Sequence, residues 1–182
     1  MKWANWVKRM EPQFRDLWIS NGIYYAIMGS TVPIQADTPL LSLALMFWNS
    51  DTNTFDFGVD LMSISILDLA IIFRFHPHGR SADYLANFER TLEENVHIGV
   101  RINEMNQLIN TNRAFGQFMK NFQGVETVDP QREHMMFLLY WLNRYVFPNA
   151  FGNITIEWIF LAEALANHDD LGIGPLLLAN FK

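Results

Sequence analysis

The stretch from Asp129 to Phe147 limits what this chain can become more than any other. Asp129 suits the N-cap of a helix, because its carboxylate can accept from the free amides of the first turn. Pro130 suits the first helical position, where its fixed φ fits and its missing N–H costs nothing. From Met135 to Leu142 eight successive residues are apolar, so no face of those turns can be given to water. A helix that is apolar all round is a buried one. The pattern predicts a central helix over about 130–147, and at roughly 1.5–3 kcal/mol per buried large side chain it is the largest single contribution to a core. It is too short to span a bilayer, which takes about 20 apolar residues; Glu133, His134 and Arg144 bracket it.

A helix covered on every side needs partners, and the remaining sequence offers them. Trp3, Trp6, Val7 and Met10 recur at helical spacing and predict a short opening helix. Pro12 restarts the chain into a second helix to about Ser20, with Phe14, Leu17 and Trp18 on one face and Gly22 beyond its end. A third, shorter helix is expected over 23–28. Asp37 and Thr38 before Pro39 open an apolar helix running to Trp48, stopped by the polar cluster 49–53. Residues 54–57 alternate and form at most a short extended piece ended by Gly58. Ser65 and Asp68 fit a capping box for a helix through Phe73. Further helices are expected over 82–92, capped by Ser81, over 114–122, over 156–166, and from Gly174 to Phe181, with an irregular or helical stretch over 93–110. The fold class is therefore all-α: one compact multi-helix domain over residues 1–182, built around the central helix.

A chain of 182 residues, half of them hydrophobic, with six Trp and fifteen Phe, has ample apolar surface for a core and is not a disordered linker. The formal charge of −6, with no basic cluster longer than Lys8 and Arg9, argues against a nucleic-acid groove. Cysteine is absent, which removes disulfides, thiol catalysis and cysteine-containing zinc sites. No apolar run of signal-peptide or membrane-span length occurs, so an intracellular, soluble protein is expected.

No constellation of residues declares a reaction. Glycine-rich phosphate loops and the nucleophile-elbow pattern are missing; Gly172 and Gly174 read as a helix stop. His76 and His78 flank Pro77 without a third ligand, short of the three that a catalytic zinc needs. His168, Asp169 and Asp170 finish a helix, and His134 reads as a buried or half-buried hydrogen-bonding histidine. Glu93, Glu94, Glu157 and Glu163 are carboxylates without a defined separation. Lys120, the one lysine far from the chain ends, sits on a Phe-rich helix where a solvated role is the ordinary one. The tryptophans at 3, 6, 18, 48, 141 and 158 read as core rather than as a binding surface. No catalytic, cofactor-binding or metal residue is assigned, and no binding residue is singled out.

Several pieces in fixed order carry a resemblance. These are Trp3-x-x-Trp6-Val7; Leu17-Trp18 with Gly22-Ile23-Tyr24; Leu45-x-Phe47-Trp48-Asn49-Ser50; Asn53 to Phe57; and Ser65-x-Leu67-Asp68. Glu133-His134-x-x-Phe137 to Leu142, Leu161 to Leu165, and Leu171 to Leu176 continue the series. Together they resemble the plant mobile domain family, which includes the Maintenance of Meristems-like proteins and long-form homologues of a plant protein phosphatase. The sequence departs from the family where a Leu-Thr-Gly-Leu run is replaced by Ile71 to Phe75, removing the glycine that would end that helix. The family domain is also longer, so the resemblance implies an N-terminal partial copy, truncated or transposon-derived. It further implies a non-catalytic, nuclear, helical protein-interaction module linked to meristem maintenance, gene silencing, transposable elements and genome stability, with a phosphatase-like partner. The family's "aminotransferase-like" label supplies the alternative, a pyridoxal phosphate enzyme, although no lysine or phosphate loop is placed for that cofactor. A truncated copy without independent function is the third reading. Direct nucleic-acid or membrane binding is not expected, and the oligomeric state stays open.

Overall fold

The computed structural model describes residues 3–75, 80–81, 105–123, 129–167 and 171–180. Along them run α1 (Trp3–Ser20), α2 (Tyr24–Gly29), α3 (Thr38–Leu45), β1 (Trp48–Asn49), β2 (Thr54–Asp56), β3 (Leu61–Met62), α4 (Ile66–Phe73) and β4 (Arg80–Ser81). Residues 105–110 are helical. There follow α5 (Phe115–Phe122), α6 (Pro130–Trp141) with a π turn (Leu142–Val146), α7 (Ile159–Asn167), β5 (Leu171–Gly172) and α8 (Ile173–Asn180). The fold is mostly helical. The helix expected over 82–92 and most of the 93–110 stretch lie outside the described residues.

The centre is α6, as its sequence demands. The Asp129 carboxylate accepts from the amides of Gln131 and Arg132, both at 3.1 Å, and Pro130 opens the first turn. Met135 is half-buried and every residue from Met136 to Asn143 is buried. The expected helix to about residue 147 is corrected at its end: regular α geometry stops at Trp141 and a π turn takes over. The cause lies in Asn143. Its Nδ2 donates to the carbonyls of Leu139 (3.0 Å) and Thr155 (3.2 Å), and its Oδ1 accepts from the amide and the hydroxyl of Thr155, each at 3.0 Å. A side chain occupying the carbonyl four residues back loosens the ladder there; the next bond, Phe147 N–H to the Leu142 carbonyl at 2.7 Å, spans five residues.

A second correction concerns the opening helices expected on either side of Pro12, which are one continuous α1. A proline inside a helix costs about 3 kcal/mol. Here Pro12 faces solvent, while Trp3, Trp6, Val7, Met10, Phe14 and Trp18 form one unbroken buried stripe. At roughly 1.5–3 kcal/mol each, that stripe outweighs the break. Its rings lie directly on α6: Trp3 stacks on Phe137 at 4.8 Å and on Tyr140 at 5.0 Å, and Trp18 stacks on Phe137 at 5.2 Å. Helix α1 ends in a Schellman motif. Gly22 takes φ +65°, its amide donates to Ile19, and the Ile23 amide donates to Trp18. Asn21, in the same turn, donates to the Leu165 carbonyl of α7 at 3.1 Å.

The remaining faces of α6 are covered chiefly by α7 and α5, and α4 packs on α8. The short last helix starts at Ile173, one residue before the expected Gly174, so Gly172 and Gly174 do not act as a stop. It docks through Ile173 and Leu177, four residues apart and both buried, and caps the core. The helix expected over 156–166 begins later, at Ile159, after a turn in which the Ile159 amide donates to the Ile156 carbonyl.

The helix expected to reach Trp48 stops at Leu45. The amides of Met46 and Phe47 bond three residues back, to Leu43 and Ala44, tightening the last turn into a stop. Trp48 and Asn49 then pair with Phe55 and Thr54, and Phe55 and Asp56 pair with Met62 and Leu61. The extended piece expected at 54–57 is thus the middle strand of a small antiparallel sheet whose outer strands have no alternation long enough to announce them. Strands β4 and β5 pair in parallel, Arg80 with Leu171 and Ser81 with Gly172.

Candidate functional site

Two features stand apart from ordinary packing. The first is a buried polar node in the first turns of α6. Glu133 is 4% exposed; its carboxylate accepts from the Trp6 indole at 2.9 Å and from Arg9 Nη1 at 3.0 Å, with Arg9 Nη2 closing an ion pair. A buried carboxylate needs such partners, since desolvating it alone costs several kcal/mol. Next to it, His134 is fully buried, stacked on Phe14 at 3.7 Å, with its Nε2 accepting from the Trp18 indole at 2.8 Å. An indole only donates, so Nε2 is the unprotonated nitrogen and the ring is neutral. Burial pushes its pKa down to about 3. The node fastens α1 to α6, and a histidine of that pKa, sealed under two aromatic rings, is no general base near neutral pH.

The second feature is an apolar surface over α3, β1–β3 and α4. Among the described residues, fifteen of the twenty-two exposed large hydrophobics lie between Leu40 and Phe73. No residue of α3 is buried, although it carries Leu40, Leu41, Leu43 and Leu45, all more than half exposed. In α4 only Leu69 turns into the core; Leu67 and Ile71, four residues apart, form an outward stripe with Ile72 beside it. Phe47, just before β1, and Phe57, just after β2, meet at 5.1 Å. The rule that apolar helices are buried therefore fails for α3 and largely for α4. Their start signals do not fail: Asp37 caps Leu40 at 3.0 Å, and Ser65 and Asp68 complete the capping box. The Ser65 hydroxyl and amide hold the Asp68 carboxyl below its ordinary pKa. Where the glycine is missing, Arg74 itself takes the left-handed conformation at φ +59°.

His76, His78, Glu93, Glu94, His168, Asp169 and Asp170 lie outside the described residues. Glu157 is exposed in the turn before α7, and Glu163 is half-buried on α7. Lys120 is exposed in the last turn of α5, a solvated setting unlike the desolvated pocket of a Schiff-base lysine. Trp3, Trp6, Trp18 and Trp141 are core, and Trp48 and Trp158 are half-buried. Among the described residues no helix is long and apolar enough to cross a membrane. The Arg9–Glu133 pair and the exposed surface escaped sequence reading. Nothing in the sequence links two charges 124 residues apart, and the apolar pattern of α3 is the same whether it faces core or water.

Fold and surface together define a helical scaffold carrying an uncovered apolar face. The chain belongs to the plant mobile domain family, whose family model matches residues 22–181. Searches of curated proteins and of solved structures return no match.

Proposed function

We propose that this chain is a non-catalytic protein-interaction module of the plant mobile domain type, working in the nucleus in transcriptional and transposon silencing and genome stability with a phosphatase-like protein as partner. The observation that carries the reading is the apolar face over α3, β1–β3 and α4. So many exposed large apolar side chains within one stretch of chain are costly to leave in water and mark a site of association. The nuclear setting and the phosphatase-like partner follow from the family resemblance.

The test compares the tagged chain with a Leu41→Asp/Leu45→Asp variant, both recovered from plant nuclei with their bound proteins. Both positions are more than half exposed, so the variant keeps its fold, checked by circular dichroism. Recovery of a phosphatase-like protein or of silencing factors with the parent chain, lost in the variant, supports the reading. Equal recovery with both, or with neither, refutes it.

A further inference from the structure

We infer that the apolar face over α3, β1–β3 and α4 takes a basic amphipathic helix of another protein, one whose apolar stripe is flanked by lysines or arginines. The inference rests on the interaction reading above and specifies the partner's chemistry. From residue 16 to residue 73 the sequence contains no lysine, arginine or histidine. Over the face itself the exposed charges are Asp37, Asp51, Asp56, Asp60 and Asp68. Four of these carboxylates are held in place by backbone amides: Asp37 by Leu40, Asp56 by Gly58, Asp60 by Leu61 and Asp68 by Ser65. The result is an apolar surface whose own charges are all acidic, with Arg74 at the end of α4 the first cation beyond it. Rim charges select partners and set the encounter rate, while the apolar centre supplies affinity. A second copy of this chain would bring the same acidic charges against itself, and anionic lipid or nucleic acid would be repelled in the same way. A cationic helix laid on the face satisfies both features, in the manner of helix-in-groove recognition.

The experiment titrates the full chain into two labelled helical peptides of about 18 residues. One has leucines on one face flanked by lysines, and its twin has glutamates in place of the lysines; binding is read by fluorescence anisotropy. The lysine peptide is expected to bind at least about tenfold more tightly than its twin, with the ratio shrinking as salt is raised. Asp51→Asn/Asp56→Asn/Asp60→Asn, which keeps side-chain acceptors for the turns, should bring the ratio towards one. Leu41→Ser/Leu45→Ser, unchanged in charge, should abolish binding of both peptides and so separates docking from general attraction to an acidic protein. Equal binding of the two peptides, lost in the serine variant, would leave the interaction reading standing and overturn the basic partner. A concentration-dependent dimer in sedimentation, dissociated by the serine variant, would also overturn it by making a second copy the occupant. Binding of neither peptide by a monomeric chain would overturn the inference and the interaction reading together.

Discussion

Protonating His134 should destabilise this protein's fold. In the folded state the Nε2 lone pair receives the Trp18 indole N–H at 2.8 Å; a proton placed on Nε2 would set donor against donor in a site with no access to water. The folded pKa is about 3 against an ordinary 6.5, because burial disfavours the charged ring. Below pH 6.5 the unfolded chain therefore binds a proton that the folded chain refuses, and stability falls as pH falls. At about 1.36 kcal/mol per pH unit, going from about pH 7.5 to about pH 5 should remove roughly 2 kcal/mol through His134 alone. His134→Phe keeps a ring on Phe14 and cannot titrate, although leaving the Trp18 N–H unpaired costs about 1–3 kcal/mol. Urea unfolding of parent and variant at both pH values isolates the effect, since the carboxylates and the other four histidines are common to both. The parent's advantage near neutrality should shrink by roughly 2 kcal/mol at the lower pH. An advantage that stays constant between the two would refute a neutral, sealed His134.

Arg74→Gly should stabilise the fold by about 0.5–1 kcal/mol in urea melts, because glycine adopts φ +59° without the Cβ penalty that arginine bears. Asn143→Ala should cost about 2–3 kcal/mol, since it strips partners from both the amide and the carbonyl of Thr155; an NMR shift pattern disturbed at residues 142–155 would locate the loss. Ser65→Ala should move the Asp68 carboxyl back up towards its ordinary pKa, followed by NMR titration, because the Ser65 hydroxyl is the main cause of its depression.

The sequence was legible wherever a local pattern has one outcome. Asp129, or Ser65 and Asp68 together, satisfy backbone amides two or three residues away, so caps can be read without tertiary knowledge. The eight apolar residues from Met135 to Leu142 had to turn inward, and seven are buried with Met135 half-buried. Pro12 misled because local rules count the lost hydrogen bond and not the aromatic stripe that continues past it onto Phe137 and Tyr140. The π turn depended on a bond between Asn143 and Thr155, and the polar node on α1 meeting the start of α6; both are contacts that no periodicity encodes. For α3, periodicity reports that a helix is apolar and says nothing of whether a neighbour arrives to cover it. Of the candidate site, the sequence therefore held the residues but not their exposure.

The cation-free run has a practical side. Trypsin cuts only after lysine or arginine, so α2, α3, the three-stranded sheet and α4 leave the digest as a single peptide, residues 16–74, and amine-directed labels find nothing there to modify. Covalent mapping that relies on lysine will be silent over the whole surface, occupied or not. Met46 and Met62, 79% and 59% exposed, are the built-in reporters instead: sulfoxide formation at these two thioethers registers whether anything lies on top of them.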